Sequence, residues 1–122
     1  ENIKTARDYG AACTAIPVKD TIKRSDHEGF VQETLERKDL WSVQTPQAFK
    51  FHIIMNAHKK AMEDGFEGTE DGVLVEMMGI PLKLVMGNYD NIKITTQEDL
   101  AIAEVIIKKQ WEKKQWKISS NP

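Results

Sequence analysis

Apolar residues fall into a few stretches of different periodicity. Ala11 to Val18 is a mostly apolar run without alternation that closes on Pro17 and the charged pair Lys19-Asp20. A strand buried on both faces has this pattern, and it predicts a parallel sheet. Ahead of it, Asn2 to Asp8 reads as the tail of a helix, with Ile3 and Ala6 on one face and Gly10 as its stop. The chain opens on Glu1 without a Met, so this first element reads as cut open and the chain as part of a longer protein.

Asp20 to Arg24 and Phe30 to Arg37 are β-compatible and are separated by a polar loop, Ser25 to Gly29, which predicts a hairpin. Its larger apolar side chains, Ile22, Phe30, Val31 and Leu35, are too few to make a core. The hairpin is therefore expected to project and to be stabilised by a second subunit. Leu40 to Phe49 reads as a strand that turns into a loop at Pro46, since proline cannot donate to a central ladder. Phe51, Ile54, Met55, Ala61 and Met62 recur at helical spacing up to Asp64, and Gly65 follows as a stop.

Thr69 is expected to cap a shorter helix that carries Val73, Leu74 and Met77 and ends before Gly79. Leu82 to Met86 and Ile92 to Ile94 are predicted strands on either side of the turn-rich Gly87 to Asp90. Thr95 then opens the last helix, with Glu98 as capping-box partner and Leu100, Ala103, Ile106 and Ile107 as its inner stripe. Strands joined by helical crossovers, without an internal repeat, predict an α/β fold.

Composition narrows the class. The chain has 122 residues, 40% hydrophobic and 30% charged, which fits one soluble globular domain. Its formal net charge of -2 provides no cationic field for a polyanion, so nucleic acid is not the expected partner. The one cysteine, Cys13, cannot form an internal disulfide. No stretch has the roughly 18 apolar residues of a membrane span, nor the start of a signal peptide, and the expected location is the cytoplasm without membrane partners.

Candidate chemistry lies mainly at predicted strand ends. Alternation over Asn91-Ile92-Lys93-Ile94-Thr95 puts Ile92 and Ile94 on one face and aims Lys93 the other way, just before a helix N-terminus, where α/β sheets place anionic ligands. A phosphate beside Lys93 is one reading; a solvated strand lysine is the other. Gln44-Thr45-Pro46-Gln47 gathers two amides and a hydroxyl around a proline turn, suited either to a polyol or phosphate or to the turn alone. Thr69 is explained by capping and is also available to a ligand.

Thr21 and Lys23 share a face of the hairpin by strand alternation, with Arg37 at its base. The cations Lys23 and Arg37 serve either a ligand or solubility and edge protection. His58 reads as a boundary histidine, and His27 and His52 have no metal-ligand spacing, so no metal site is expected from this segment alone. Lys108 to Lys117, with Trp111 and Trp116, reads as a frayed, solvated extension. Gly-rich dinucleotide loops, P-loops and serine nucleophile elbows do not occur.

Several segments together resemble one family. Pro17-Val18-Lys19-Asp20-Thr21-Ile22-Lys23, Leu40-Trp41 with Gln44-Thr45-Pro46-Gln47-Ala48-Phe49, Gly68-Thr69, and Asn91-Ile92-Lys93-Ile94-Thr95-Thr96 with Asp99-Leu100 are similar, in order and interval, to 2-C-methyl-D-erythritol 4-phosphate cytidylyltransferases. The resemblance runs from Thr5 to about Ile107 and matches the C-terminal half of that family. It implies residues 1–122 as half of one cytidylyltransferase domain: part of a Rossmann-like nucleotidyltransferase sheet, with a β-hairpin arm over about 19–39 that embraces a second subunit.

The implied reaction joins methylerythritol phosphate to CTP with release of pyrophosphate, in non-mevalonate isoprenoid synthesis. Lys93 and Arg37 would hold the acceptor phosphate, while Thr21, Thr45 and Thr69 line the same site, with Thr21, Arg37 and Thr45 reaching it across the dimer. The family's Gly-rich CTP loop, its transition-state Arg and Lys, and the Asp that holds a divalent cation, Mg2+, belong to the N-terminal half. The 122-residue chain alone is accordingly expected to be inactive.

Glu70 stands where the family has Asp, Gly72 replaces a better helix former, and Gln97 replaces a Pro. Ribitol 5-phosphate cytidylyltransferases share the Thr-Pro-Gln and Asn-x-Lys-x-Thr segments, but Lys23 and Leu40-Trp41 look more like the methylerythritol branch. A non-catalytic dimerisation fragment is the alternative of another class.

Overall fold

The structure, a computed structural model, describes residues 1–120. They form two compact units, Glu1–Asn88 and a second from Tyr89 onward. The first contains α1 (Asn2–Tyr9), β1 (Ala11–Pro17), β2 (Lys23–Ser25), β3 (Val31–Thr34), a 3-10 turn at Arg37–Asp39, β4 (Trp41–Phe49), α2 (Phe51–Asp64), α3 (Asp71–Met77) and β5 (Lys83–Met86).

β1 is the middle of a three-stranded sheet, order β4-β1-β5, parallel to β5 and antiparallel to β4. The sheet is thus mixed, where the apolar run predicted a parallel one. Such a run encodes burial on both faces, which a central strand has whichever way its neighbours point. Ala11 to Ala15 are all buried. Because successive side chains leave a strand on opposite faces, Ala12 packs with Ala6 of α1 and with Val85, while Ala11 packs with Ala57 of α2 and with Leu74 and Val75 of α3.

Small side chains along β1 leave room for helices on both sides. Val75 and Cys13 are the largest fully buried side chains, and full burial of the valine contributes about 1.5–3 kcal/mol. The Cys13 thiol pKa is pushed up to about 11, first by burial and then by the carboxylates of Glu70 and Glu76.

Local stops act largely as the sequence predicts. α1 ends at Gly10, whose φ of 101° favours glycine and where an added Cβ would stand 2.9 Å from Ile53 Cδ1. α2 ends at Gly65 in the left-handed region, with the Gly65 N–H turned back to the Ala61 and Met62 carbonyls.

Other boundaries differ from expectation. The hairpin is present as its own two-stranded antiparallel sheet, but its strands are shorter than Asp20 to Arg24 and Phe30 to Arg37. The Asp26 carboxylate accepts the N–H groups of Glu28 and Phe30, drawing Phe30 into the loop, and Arg37 is taken up by the 3-10 turn. β4 also does not stop at Pro46. It runs on to Phe49, which its edge position permits, since no ladder hydrogen bond is required on its outer side.

The second unit contains a non-strand segment and α4 (Gln97–Ser120). Ile92 to Ile94 is therefore not the predicted strand, and Ile94 is exposed. Instead of joining a ladder, the N–H groups of Thr95 and Thr96 are taken by the Asp99 carboxylate at 3.1 and 3.2 Å. The Thr96 hydroxyl accepts the Asp99 N–H in return, making a capping box one residue later than Thr95 and Glu98.

α4 continues through Lys108–Lys117, which is helical rather than frayed, and it exposes Trp111 and Trp116. Of its expected inner stripe, Ala103 is buried and Ile106 half-buried, whereas Leu100 and Ile107 are exposed. Among the described residues no helix is long and apolar enough to cross a membrane.

Candidate functional site

The most constrained polar feature of the sheet is a bulge in β4. Cys13 pairs with Gln47 and Ala15 with Val43, so Thr14 alone faces Gln44, Thr45 and Pro46. Extra residues on one strand bend it outward and redirect their side chains. The bulge is fastened at both ends. Thr14 Oγ1 donates to the Pro46 carbonyl at 2.7 Å and accepts from Asn2 Nδ2. Gln44 Nε2 donates to the Asn88 carbonyl at 2.8 Å, beyond the end of β5. Between the two lies Thr45, exposed, with the Thr45-Pro46 peptide cis. Only a glycine at 87 leaves space for this: an added Cβ would stand 2.7 Å from Thr14 Cγ2 and would run into Gln44 Oε1.

The hairpin base brings Arg37 back toward the start of the hairpin. The Arg37 guanidinium donates to the Lys19 carbonyl, two residues before Thr21, and the Val18 N–H bonds the Leu40 carbonyl at 3.1 Å. Thr21 and Arg37 are both exposed. Thr21 lies before β2 and not on it, so the predicted alternation with Lys23 does not hold: Lys23 alone is in the strand and donates to Thr34 Oγ1 at 2.9 Å. Arg24 and Glu33 form a cross-strand pair at 2.8 Å, more than half exposed on each side and worth no more than about 1 kcal/mol.

Thr69 is exposed and precedes α3 without capping it. Glu70 takes that role, its two carboxylate oxygens accepting the Gly72 and Val73 N–H groups at 3.1 and 3.0 Å. The capping explanation for Thr69 therefore falls away. His58 is on the surface, with Nε2 3.0 Å from Asp71 Oδ1, a tie between α2 and α3.

Lys93, in the second unit, is exposed in the segment before α4. Asp99, in the first turn of α4, is held under the usual carboxylate range, chiefly by the Thr95 hydroxyl and N–H and further by Thr96. Among the described residues no group of three or more His, Cys, Asp or Glu side chains is arranged to hold a metal ion.

Sequence reasoning selected Thr21, Arg37, Thr45, Thr69 and Lys93 but missed Thr14 and the fastening role of Gln44. A signal for Thr14 was present: it is the polar interruption of the Ala11 to Ile16 apolar run.

Comparisons with known proteins agree on one kind of enzyme. A family model described as IspD, 2-C-methyl-D-erythritol 4-phosphate cytidylyltransferase, matches residues 1–109. The protein of that name from Pelotomaculum thermopropionicum is 55% identical over 106 residues, covering 87% of this chain and 44% of the relative. That from Caldanaerobacter subterraneus is 54% identical over 109 residues, covering 89% and 48%. Among solved structures, the 4-diphosphocytidyl-2C-methyl-D-erythritol synthase of Anaerococcus prevotii superposes with a TM-score of 0.81 at 37% identity, over 88% of this chain and 48% of that one. The 2-C-methyl-D-erythritol 4-phosphate cytidylyltransferase of Thermus thermophilus gives 0.77 at 34%, over 88% and 52%. The chain spans about half the length of the curated relatives it matches.

Proposed function

The chain belongs to the 2-C-methyl-D-erythritol 4-phosphate cytidylyltransferase family, and on that premise we propose that it is the acceptor-binding and dimerisation half of such an enzyme. The reaction joins 2-C-methyl-D-erythritol 4-phosphate to CTP, releasing pyrophosphate and giving 4-diphosphocytidyl-2-C-methyl-D-erythritol for non-mevalonate isoprenoid synthesis. The observation that carries this reading is the family match over residues 1–109, which includes every residue assigned to the acceptor.

In this reading the acceptor enters as a phosphate monoester dianion. The Arg37 guanidinium and the Lys93 ammonium hold it, and Thr21, Thr45 and Thr69 line the site, with Thr21, Arg37 and Thr45 supplied across a homodimer built on the hairpin. Support comes from the exposure of all five side chains, from the bond that steadies Arg37 on the Lys19 carbonyl, and from a Thr69 hydroxyl that is not used as a cap. The hairpin strands are exposed along their whole length, as an arm awaiting a partner surface is expected to be.

These residues bind and aim. Fixing the dianion lets one of its oxygens attack the α-phosphate of CTP in line, which replaces a bimolecular encounter by a positioned one. Nucleotide binding and the divalent cation, Mg2+, are assigned to the part of the family's enzymes that this chain does not cover.

The test joins the full chain to the part of the Pelotomaculum relative that it does not cover and measures pyrophosphate release. Turnover with CTP and methylerythritol phosphate, faster than with ribitol 5-phosphate, is expected, and none from the 122-residue chain alone. An inactive chimera, or one that prefers ribitol 5-phosphate, overturns the assignment.

A further inference from the structure

We propose that Thr14 is a positioning residue for acceptor binding, acting through Thr45; the proposal rests on the reading of Thr45 as an acceptor contact. Thr14 is the buried polar side chain of the central strand, 5% exposed among alanines. A hydroxyl has one proton to donate and accepts through its lone pairs, and here both capacities are used. The proton goes to the Pro46 carbonyl at 2.7 Å, and a lone pair receives Asn2 Nδ2.

That geometry has a directional consequence. The Pro46 carbonyl belongs to the residue immediately after Thr45, and Thr45 lies inside the bulge, between the Cys13–Gln47 and Ala15–Val43 pairs. Two side-chain bonds tie the bulge on either side of it, Thr14 to Pro46 and Gln44 to Asn88. At Gly87 an added Cβ would press on both Thr14 and Gln44. Removing the Thr14 hydroxyl therefore releases one end of the bulge while leaving the apolar packing of β1 in place, because valine has the same shape as threonine.

The experiment compares Thr14→Val and Thr14→Ser by two readouts. In the full chain, amide hydrogen exchange over residues 43–47 is expected to rise about tenfold in T14V, the size of one lost hydrogen bond. Exchange in α2 should be unchanged, and T14S should behave as wild type. In the chimera with the Pelotomaculum relative, T14V is expected to raise the acceptor KM about tenfold with the CTP KM unchanged, and T14S to restore it.

Unchanged exchange at 43–47, or equal losses for both substrates, or failure of T14S to rescue, overturns the proposal. A wild-type chimera without turnover instead fails the functional reading, and the exchange data then decide the fastening of the bulge independently.

Discussion

Replacing Gly87 by alanine probes the packing behind the β4 bulge. The new Cβ would lie 2.7 Å from Thr14 Cγ2 and would run into Gln44 Oε1, whereas carbon atoms in comfortable contact are about 3.5–4.0 Å apart. The two neighbours differ in their freedom to yield. Gln44 can swing away, but its 2.8 Å bond to the Asn88 carbonyl goes with it, at about 0.5–1.5 kcal/mol. Thr14 is β-branched, buried in the central strand and engaged at both sides of its hydroxyl, so it stays. The backbone of Gly87, whose N–H bonds the Ala15 carbonyl at 2.9 Å, must then move, an overpacking cost of about 1–3 kcal/mol. The combined expectation is about 2–4 kcal/mol. Urea unfolding of the chain followed by circular dichroism should show the midpoint falling by more than about 1 M. Thr14→Ser, which deletes Cγ2, should recover most of that loss when combined with Gly87→Ala. A Gly87→Ala chain within about 0.5 kcal/mol of wild type would refute the reasoning.

Val75→Ala removes two buried methyl groups from the α3 face of the core and should cost about 2–3 kcal/mol in the same assay; a loss under about 0.5 kcal/mol contradicts the packing described. Cys13, fully buried and with its pKa pushed up to about 11, should resist a thiol reagent at pH 8 until urea unfolds the chain, and native labelling as fast as that of a short cysteine peptide counts against it. Asp99 has a depressed carboxyl pKa, so its contribution is present above the unfolded value of about 3.9 and is lost as pH falls through the lower folded value. Amide exchange at Thr95 and Thr96 should therefore quicken only below about pH 4, and this acid-dependent step should vanish in Asp99→Asn; an unchanged step in that variant excludes the carboxylate as its cause.

Much of the fold was legible because its signals are local or depend on burial alone. The Ala11 to Ala15 run marked the central strand, and the spacing from Phe51 to Asp64 with Gly65 gave α2 at its observed limits. Strand direction was not legible, since burial on both faces is indifferent to it. Ile92 to Ile94 alternates like a strand, but Asp99 takes the backbone donors just beyond it, a choice between neighbouring polar residues that alternation does not encode. The same competition moved the α3 cap from Thr69 to Glu70.

For the candidate site, residue types were readable while their support was not. Thr45 and Pro46 stood out as turn chemistry, but the bulge depends on Thr14 and Asn88, respectively 31 and 43 positions away from Thr45, and neither is visible without the pairing of β1 with β4 and with β5. Arg37 was legible as an unexplained cation at the hairpin base, but its place in a 3-10 turn and its bond to the Lys19 carbonyl were not.

The central claim is that Arg37 and Lys93 hold the acceptor phosphate, and substrate kinetics of the chimera with Arg37→Ala or Lys93→Ala test it most directly. Each change should raise the acceptor KM by about 10- to 100-fold, the size of a charge-assisted hydrogen bond, with the CTP KM unchanged within about twofold. An unaltered acceptor KM, or a CTP KM that rises in parallel, would contradict the account.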